Sequence, residues 1–585
     1  YPGAGHFVSE DADVSSAVHD WLGTLTAGPP DGAVDLSPAQ ESTPKREPLW
    51  SGYSNDDLVD DVAVIEMGPS EPSITFGYLR DRIDAVAAGL AEAGLSAGER
   101  VALMIPPGID LCTALYGCWR AGAVVVLVDS GLGPKGMSQA VRAAHPQMII
   151  GIPKALVAAR SLNWPGRRIC TSSLPPKRAR LLGVEGSLES LAAREFTAPP
   201  TAESSAPAAV VFTSGATGPS KGVTYSHEQL QAQRDALVDL YEIDGSDRLV
   251  AAFAPFALYG PAMGIASVVP DMDVSKPATL TAESLGDAAL AVNATMVFAS
   301  PAALVNVLRT ADQLDDLYTA AFAKVRLVLS AGAPVRTSLL RAVAELFPNA
   351  QLHTPYGMTE ILPVADISLD EIVALEAASA TGDGVCVGRP VAGVEVLIST
   401  FASDLSDELT SLPGCVGEIV VRGDHVRSGY DRLWHTANRA SHPAGWHRTG
   451  DVGHLDSAGR LWVGGRLGHV VHTADGPVAP VGLEQAIELL EGVEAAAVVG
   501  VGPVGSQVLV AVVELSDGGA ATGMGDLALH DRVREAAQTI AAFDVAAVLT
   551  VPKLPVDRRH NSKVDRTRLA VWSERVLRGD KVGKP

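Results

Sequence analysis

Phe212-Thr213-Ser214-Gly215-Ala216-Thr217-Gly218-Pro219-Ser220-Lys221-Gly222 holds three glycines, four hydroxyl side chains and one lysine in eleven residues. The apolar run Ala208 to Val211 before it reads as a buried strand, and a helix-like segment begins near Ser226. Glycines let the backbone turn tightly and aim N–H groups at a polyanion. Thr213, Ser214 and Thr217 add hydroxyl donors, and Lys221 adds a point charge. The G-x-x-x-x-G-K-[ST] pattern is absent, so this is not a Walker loop. The stretch therefore predicts a triphosphate cradle of another design, on a strand–loop–helix scaffold.

Working outward, Thr354-Pro355-Tyr356-Gly357-Met358-Thr359-Glu360 gathers an aromatic, a glycine, a hydroxyl and a carboxylate. Trp446-His447-Arg448-Thr449-Gly450-Asp451 is followed by Gly465-Arg466, and Asn561-Ser562-Lys563 lies near the C-terminus. In order and spacing these motifs resemble the adenylate-forming superfamily of acyl-CoA synthetases, firefly luciferases and peptide-synthetase adenylation domains, over about residues 49 to 580. The resemblance implies an α/β fold. A large N-terminal domain of parallel-sheet αβ subdomains and a β-rich lobe would precede a small mobile α+β C-terminal domain. It also implies ATP and Mg²⁺.

Residue by residue, the resemblance assigns pyrophosphate to Thr213, Ser214, Gly215, Thr217, Gly218 and Lys221, and Mg²⁺ to Glu360. One carboxylate suits an ion that keeps most of its waters. Adenine would stack on Tyr356 in the turn Tyr356-Gly357-Met358-Thr359, with Gly332-Ala333-Pro334 as the opposite wall after the strand Val325 to Leu329. Asp451 would take both ribose hydroxyls with help from Arg466, and Lys563 would touch the carboxylate and α-phosphate oxygens during adenylation. Catalysis would thus rest on Lys563, Glu360, Thr217 and Lys221.

Bulk properties agree with an enzyme of this size. At 585 residues more than one domain is expected, and 47% apolar residues fit a well-packed chain. The net charge of −23 leaves no basic excess to displace counterions and predicts no nucleic-acid partner. No apolar run reaches transmembrane length, and Cys112, Cys118, Cys170, Cys386 and Cys415 lack metal-ligand spacing, as suits a reducing cytoplasm. Residues 27 to 48 are rich in Pro, Asp-Gly and Ser-Pro and read as a linker. Asp81 to Glu92 reads as an amphipathic helix, Arg100 to Ile105 and Val124 to Val128 as strands, and Glu418 to Val421 and Leu461 to Val463 as a β-rich lobe. Ser267 to Leu280 and Leu369 to Gly384 read as loops or insertions. The domain boundary is expected between 465 and 470, giving domains 49–465 and 466–585.

Departures from the superfamily pattern narrow the reading. Ala257 stands where many acyl-CoA synthetases have a histidine, and His469 replaces the usual hinge aspartate. Both put CoA binding and small-domain rotation in doubt. Ile150 to Ala155, Pro255 to Leu258, Ile265 to Asp273 and Arg559 to Lys563 resemble the β-lactone synthetases of bacterial long-chain olefin biosynthesis. That implies a long-chain 2-alkyl-3-hydroxy fatty acid as substrate, β-lactone, AMP and pyrophosphate as products, and association with thiolase-like, reductase and β-lactone decarboxylase enzymes. The alkyl chains would lie against Phe256, Leu258, Tyr259 and Met263, and His560 or His469 would serve as base. A fatty-acyl-CoA or fatty-acyl-AMP ligase and a catalytically silent scaffold are the alternatives. Gly3-Ala4-Gly5-His6-Phe7 leading into Val14 to Leu25 resembles the histidine end of an α/β-hydrolase. Residues 1 to 26 are therefore expected to be the remnant of a fused decarboxylase domain.

Overall fold

Apolar runs too short to be helices become the spines of two parallel sheets. The computed structural model describes residues 46–193, 203–213, 221–252, 259–378, 384–401, 409–516, 522–541, 544–555, 564–580 and 583–585. The expected hydrolase remnant, nearly all of the linker, Ser214 to Ser220, Phe256, Leu258, His560 and Lys563 lie outside them, as does the side chain of Thr213.

The first sheet has eight strands in the order Gly429–Tyr430, Lys221–Ser226, Pro207–Thr213, Val124–Val128, Arg100–Met104, Met148–Gly151, Arg167–Cys170 and Val184–Ser187. Its centre is parallel, with Val125 opposite Ala209 and Leu103 opposite Leu127. Alternate residues of one strand enter different cores. Val101 and Leu103 pack on one face, Ala102 and Met104 on the other. Helices on both faces explain why these strands are continuously apolar rather than alternating. Each fully buried Val or Leu contributes about 1.5–3 kcal/mol.

The second sheet runs Gln351–His353, Leu327–Leu329, Met296–Ala299, Arg248–Ala252, Ala266–Val269, Val62–Glu66 and Ser73–Thr75. Two expectations are corrected here. Ala266–Val269 is an interior strand, parallel to both neighbours, so the segment read as a loop from Ser267 starts inside a sheet. Leu369–Ala378 is a helix, entered through Ser368, whose hydroxyl accepts from Glu371 N while Glu371 accepts from Ser368 N. That reciprocal pair is a capping box. The amphipathic helix is also longer than its apolar pattern, spanning Phe76–Glu92 from its cap at Thr75.

The β-rich lobe is a six-stranded sheet ordered Val385–Cys386, Leu461–Arg466, His447–Leu455, Gly417–Arg422, Glu395–Thr400 and Leu409–Thr410. After Arg466 a short turn, Leu467–His469, leads to a four-stranded sheet built on the hairpin Val493–Val501 and Val508–Leu515. Helices Pro480–Glu488, Leu527–Ala541 and Arg566–Leu577 cover it. No described helix is long and apolar enough to cross a membrane, and none of the five cysteines is in a disulfide.

Candidate active site

The opening stretch folds as two antiparallel strands, with Phe212 opposite Gly222 and Thr213 opposite Lys221. Thr213 and Lys221 thus stand one strand spacing apart. A third strand pairs Tyr430 with Val223 and Gly429 with Thr224. Asp431 fixes this edge: its N–H donates to Gly222 O at 2.7 Å, and its carboxylate takes both Arg100 Nη atoms at 2.9 and 2.7 Å. The pairing brings Lys221 Nζ to 5.2 Å from the Tyr430 ring centroid, and Arg427 Cζ to 4.0 Å from it.

Glu360 is held by the same edge. The Tyr430 hydroxyl donates to Glu360 Oε1 at 2.7 Å, and Arg427 N donates to Glu360 O at 2.9 Å. Burial first, then the Glu360 carboxylate, raises the Tyr430 phenol well above its usual range, so it stays a donor. The Tyr225 hydroxyl donates to Thr359 O from beneath. Among the described residues no group of three or more His, Cys, Asp or Glu side chains is placed to hold a metal. One oriented carboxylate beside a lysine fits Mg²⁺ brought in on nucleotide phosphates rather than a protein cage.

The second half of the site is set by strand register. Asp451 and Arg466 are paired residues on His447–Leu455 and Leu461–Arg466, and Arg466 Nε lies 2.9 Å from Asp451 Oδ1. The Tyr356 hydroxyl donates to Asp451 Oδ2 at 2.7 Å. Burial, then the Asp451 charge, pushes the Tyr356 phenol up, so it too remains protonated. Gly450, at φ +72, takes the left-handed backbone inside the strand, where its register against Gly417–Arg422 shifts just before Asp451. Asp451 is 5% exposed and lines the cleft, and an ionised carboxylate offers several acceptor positions, which suits a vicinal diol.

Beyond the strand Leu327–Leu329, the Ser330-Ala331-Gly332-Ala333-Pro334 turn lines the same cleft as Lys221, Tyr356 to Glu360, Asp451 and Arg466. Ser330 Oγ is buried there without a hydrogen-bond partner in the structure. A buried hydroxyl in that state is able to pair with a water or a polar ligand atom, and the edge of a purine offers several of the latter. Among the expected alkyl-chain contacts, Tyr259 lines the cleft and its hydroxyl donates to Gln233. Met263 lies elsewhere, packed beside Leu237, Tyr241 and Ile265.

The small domain supplies the far wall. Lys553, Leu554 and Val564 to Thr567 line the cleft, and Asp565 N donates to Pro555 O at 2.8 Å. Both ends of the segment that carries Lys563 therefore stand at the site. Arg566 makes a double contact with buried Glu484, at 2.9 and 2.5 Å, which also accepts from Val498 N at 2.8 Å. His469 lines the cleft too; burial first, then Arg566 and Arg466, lowers its pKa to about 4. It is neutral near pH 7.

Sequence reasoning missed Tyr430, Arg427, Tyr225 and Asp431. For Arg427, Tyr430 and Asp431 the only signal was the cluster Arg427-Ser428-Gly429-Tyr430-Asp431 between a strand and the Trp446 motif, and Tyr225 lies in the strand that this cluster pairs with. What they do depends on pairing with a strand some two hundred residues earlier.

Comparisons with known proteins show which family and fold the chain is similar to. The family described as AMP-binding enzyme matches residues 54–431. An olefin beta-lactone synthetase from Xanthomonas campestris pv. campestris is 37% identical, over 87% of this chain and 92% of its own length. Another, from Stenotrophomonas maltophilia, is 36% identical over 87% and 93%. In fold, the chain is similar to ATP-bound MatB from Rhodopseudomonas palustris, with a TM-score of 0.70 and 21% identity over 90% of this chain and 99% of that one.

Proposed function

This chain belongs to the AMP-binding enzyme family, and we propose that within it the reaction is that of a β-lactone synthetase. It is an ATP-dependent, AMP-forming ligase. The proposed substrate is a long-chain 2-alkyl-3-hydroxy fatty acid. The observation that carries this reading is the similarity to olefin beta-lactone synthetases along nearly the whole chain.

The substrate carboxylate attacks the α-phosphorus of ATP, giving an acyl-adenylate and expelling pyrophosphate. Lys221 and the 214–220 loop meet the charge that builds on the leaving oxygens. Glu360, oriented by Tyr430, would hold Mg²⁺, which when bound neutralises phosphate charge. Asp451, braced by Arg466 and Tyr356, fixes the ribose, and Ser330 faces the base. Lys563 would contact the carboxylate and the α-phosphate.

In the second step the substrate's own β-hydroxyl attacks the activated carbonyl. The new C–O bond closes a four-membered ring, the acyl–phosphate bond breaks, AMP leaves, and the hydroxyl proton passes to a base. Neutral His469 is able to accept a proton, and His560 is the alternative. The nucleophile and electrophile share one molecule, so the site need only hold them near attack geometry, an effect worth up to about 7–11 kcal/mol. We assign residues 49–465 to adenylation and 466–585 to the small domain. We read residues 1–26 as a segment similar to the histidine end of an α/β-hydrolase, joined by the 27–48 linker.

The test is a mass-spectrometric product assay with ATP, Mg²⁺ and the hydroxy acid. A product equal to the acid minus water, formed without CoA and with AMP, supports lactone closure. An acyl thioester that appears only when CoA is added would make the protein an acyl-CoA ligase.

A further inference from the structure

Between Ser130 and Val184 the chain carries nine lysines and arginines and not one of its 68 aspartates and glutamates, although its net charge is −23. The fold collects these residues on one side. Helices Gly133–Ala144 and Pro153–Ser161 pack on the face of the eight-stranded sheet formed by Ala102, Met104, Val126 and Ile149. Helix Pro176–Leu182 lies beside the second of them.

The exposed side chains of this face are cationic and aliphatic together. Lys154, Arg160, Lys177, Arg178 and Arg180 are exposed, and none forms an ion pair among the described residues. Among them stand Leu181 at 72% exposure, Val157 at 43% and Leu162 at 38%. A lone exposed leucine needs no explanation. Three aliphatic side chains set among unpaired cations, on an otherwise acidic protein, form a surface complementary to anionic headgroups with acyl chains beneath them.

A second observation points the same way. Met137, Ile152, Ala155, Ala158, Leu162 and Trp164 line the same cleft as Lys221, Glu360 and Asp451. These six form an apolar arm of the lining, and Lys154 and Leu162 belong both to the lining and to the cationic face.

We infer that this face is a peripheral docking surface for an anionic lipid bilayer, with the apolar arm of the cleft opening toward the membrane. Its exposed apolar side chains are aliphatic, which favours acyl chains over nucleic-acid bases, since the latter are bound by stacking on aromatic rings. The inference does not depend on which acid is adenylated.

Co-sedimentation of the full chain with vesicles tests it. Vesicles with roughly one-third phosphatidylglycerol in phosphatidylcholine are expected to bind the protein, and pure phosphatidylcholine vesicles to bind it far less. Binding to the former falls as salt is raised, because exposed charges are screened. Replacing Lys177→Gln, Arg178→Gln and Arg180→Gln together removes three surface cations and is expected to weaken binding about a hundredfold. All three are exposed, so the melting temperature should not move. Leu181→Ser is expected to weaken binding while leaving its salt dependence in place. Absence of binding to the anionic vesicles, or equal binding by the triple variant, would overturn the inference. So would tighter binding to a single-stranded oligonucleotide than to vesicles, which would make this a nucleic-acid surface.

Discussion

Replacing Tyr430→Phe isolates one hydroxyl whose whole role here is to hold a carboxylate. The ring stays, so its contacts with Lys221 at 5.2 Å and Arg427 at 4.0 Å stay as well. What goes is the 2.7 Å donation to Glu360 Oε1. A hydrogen bond to a charged group is worth about 1.5–3 kcal/mol. If that energy serves mainly to orient Glu360 for its ion, its loss slows adenylation by about 10- to 150-fold, at roughly 1.4 kcal/mol per decade. The assay is ATP–pyrophosphate exchange across a Mg²⁺ titration. The expected result is a higher Mg²⁺ requirement and a slower maximal rate, with ATP affinity in the absence of metal unchanged, because Asp451 is untouched. Tyr430→Leu also removes the ring between the two cations and should fall lower by up to about 2 kcal/mol. An exchange rate for Tyr430→Phe indistinguishable from wild type at every Mg²⁺ concentration would refute the assignment of Tyr430 as the residue that positions Glu360.

Lys563→Ala is expected to abolish exchange while leaving ATP binding nearly intact; full activity would remove Lys563 from the mechanism. Asp451→Ala deletes the acceptor for the ribose hydroxyls and should weaken ATP binding about 10- to 100-fold in a direct titration, and unchanged affinity would clear Asp451 of that role. Burial lowers the pKa of His227 from 6.5 to about 4. Above pH 6.5 it is neutral in both the folded and unfolded chain; as pH falls toward 4 only the unfolded chain takes up a proton, so stability drops by up to about 3 kcal/mol. Thermal melts at both pH values should show a smaller acid loss for His227→Leu, and an equal loss would contradict the sign or the residue. A Cβ at Gly388, which has φ +81, would meet Asp366 O at 1.8 Å, so Gly388→Ala should yield little folded protein; a normal melting curve would refute that clash.

Local chemistry shows in a sequence; pairing across hundreds of residues does not. The strand Pro207–Thr213, the Tyr356 to Glu360 segment and the Thr-Gly-Asp and Gly-Arg pairs ending at Asp451 and Arg466 are visible because each is written in a few adjacent residues. Ala266–Val269 hid because four residues carry no period and Pro270-Asp271 follows at once, so only burial between two parallel neighbours marks it as a strand. The helix Leu369–Ala378 hid behind its small-residue C-terminal end, although Ser368 and Glu371 announced its start. Tyr430 and Asp431 could not be assigned from sequence at all, because their partners, Glu360 and Arg100, are fixed only once the sheet edge has closed.

Arg466 has two allegiances. Its guanidinium grips the Asp451 carboxylate, and one residue later the chain leaves the lobe through the Leu467–His469 turn. Gly465, at φ +135, sits against Pro480 and Val481 at the start of the small domain's first helix. A ligand that engages Asp451 therefore acts on the residue from which the small domain is hung. Thermodynamic reciprocity then sets a quantitative constraint: the factor by which one lobe orientation tightens nucleotide binding equals the factor by which nucleotide favours that orientation. Loosening the Asp451–Arg466 pair should shrink both factors together, so that nucleotide still binds but no longer reports its presence to the far wall of the cleft.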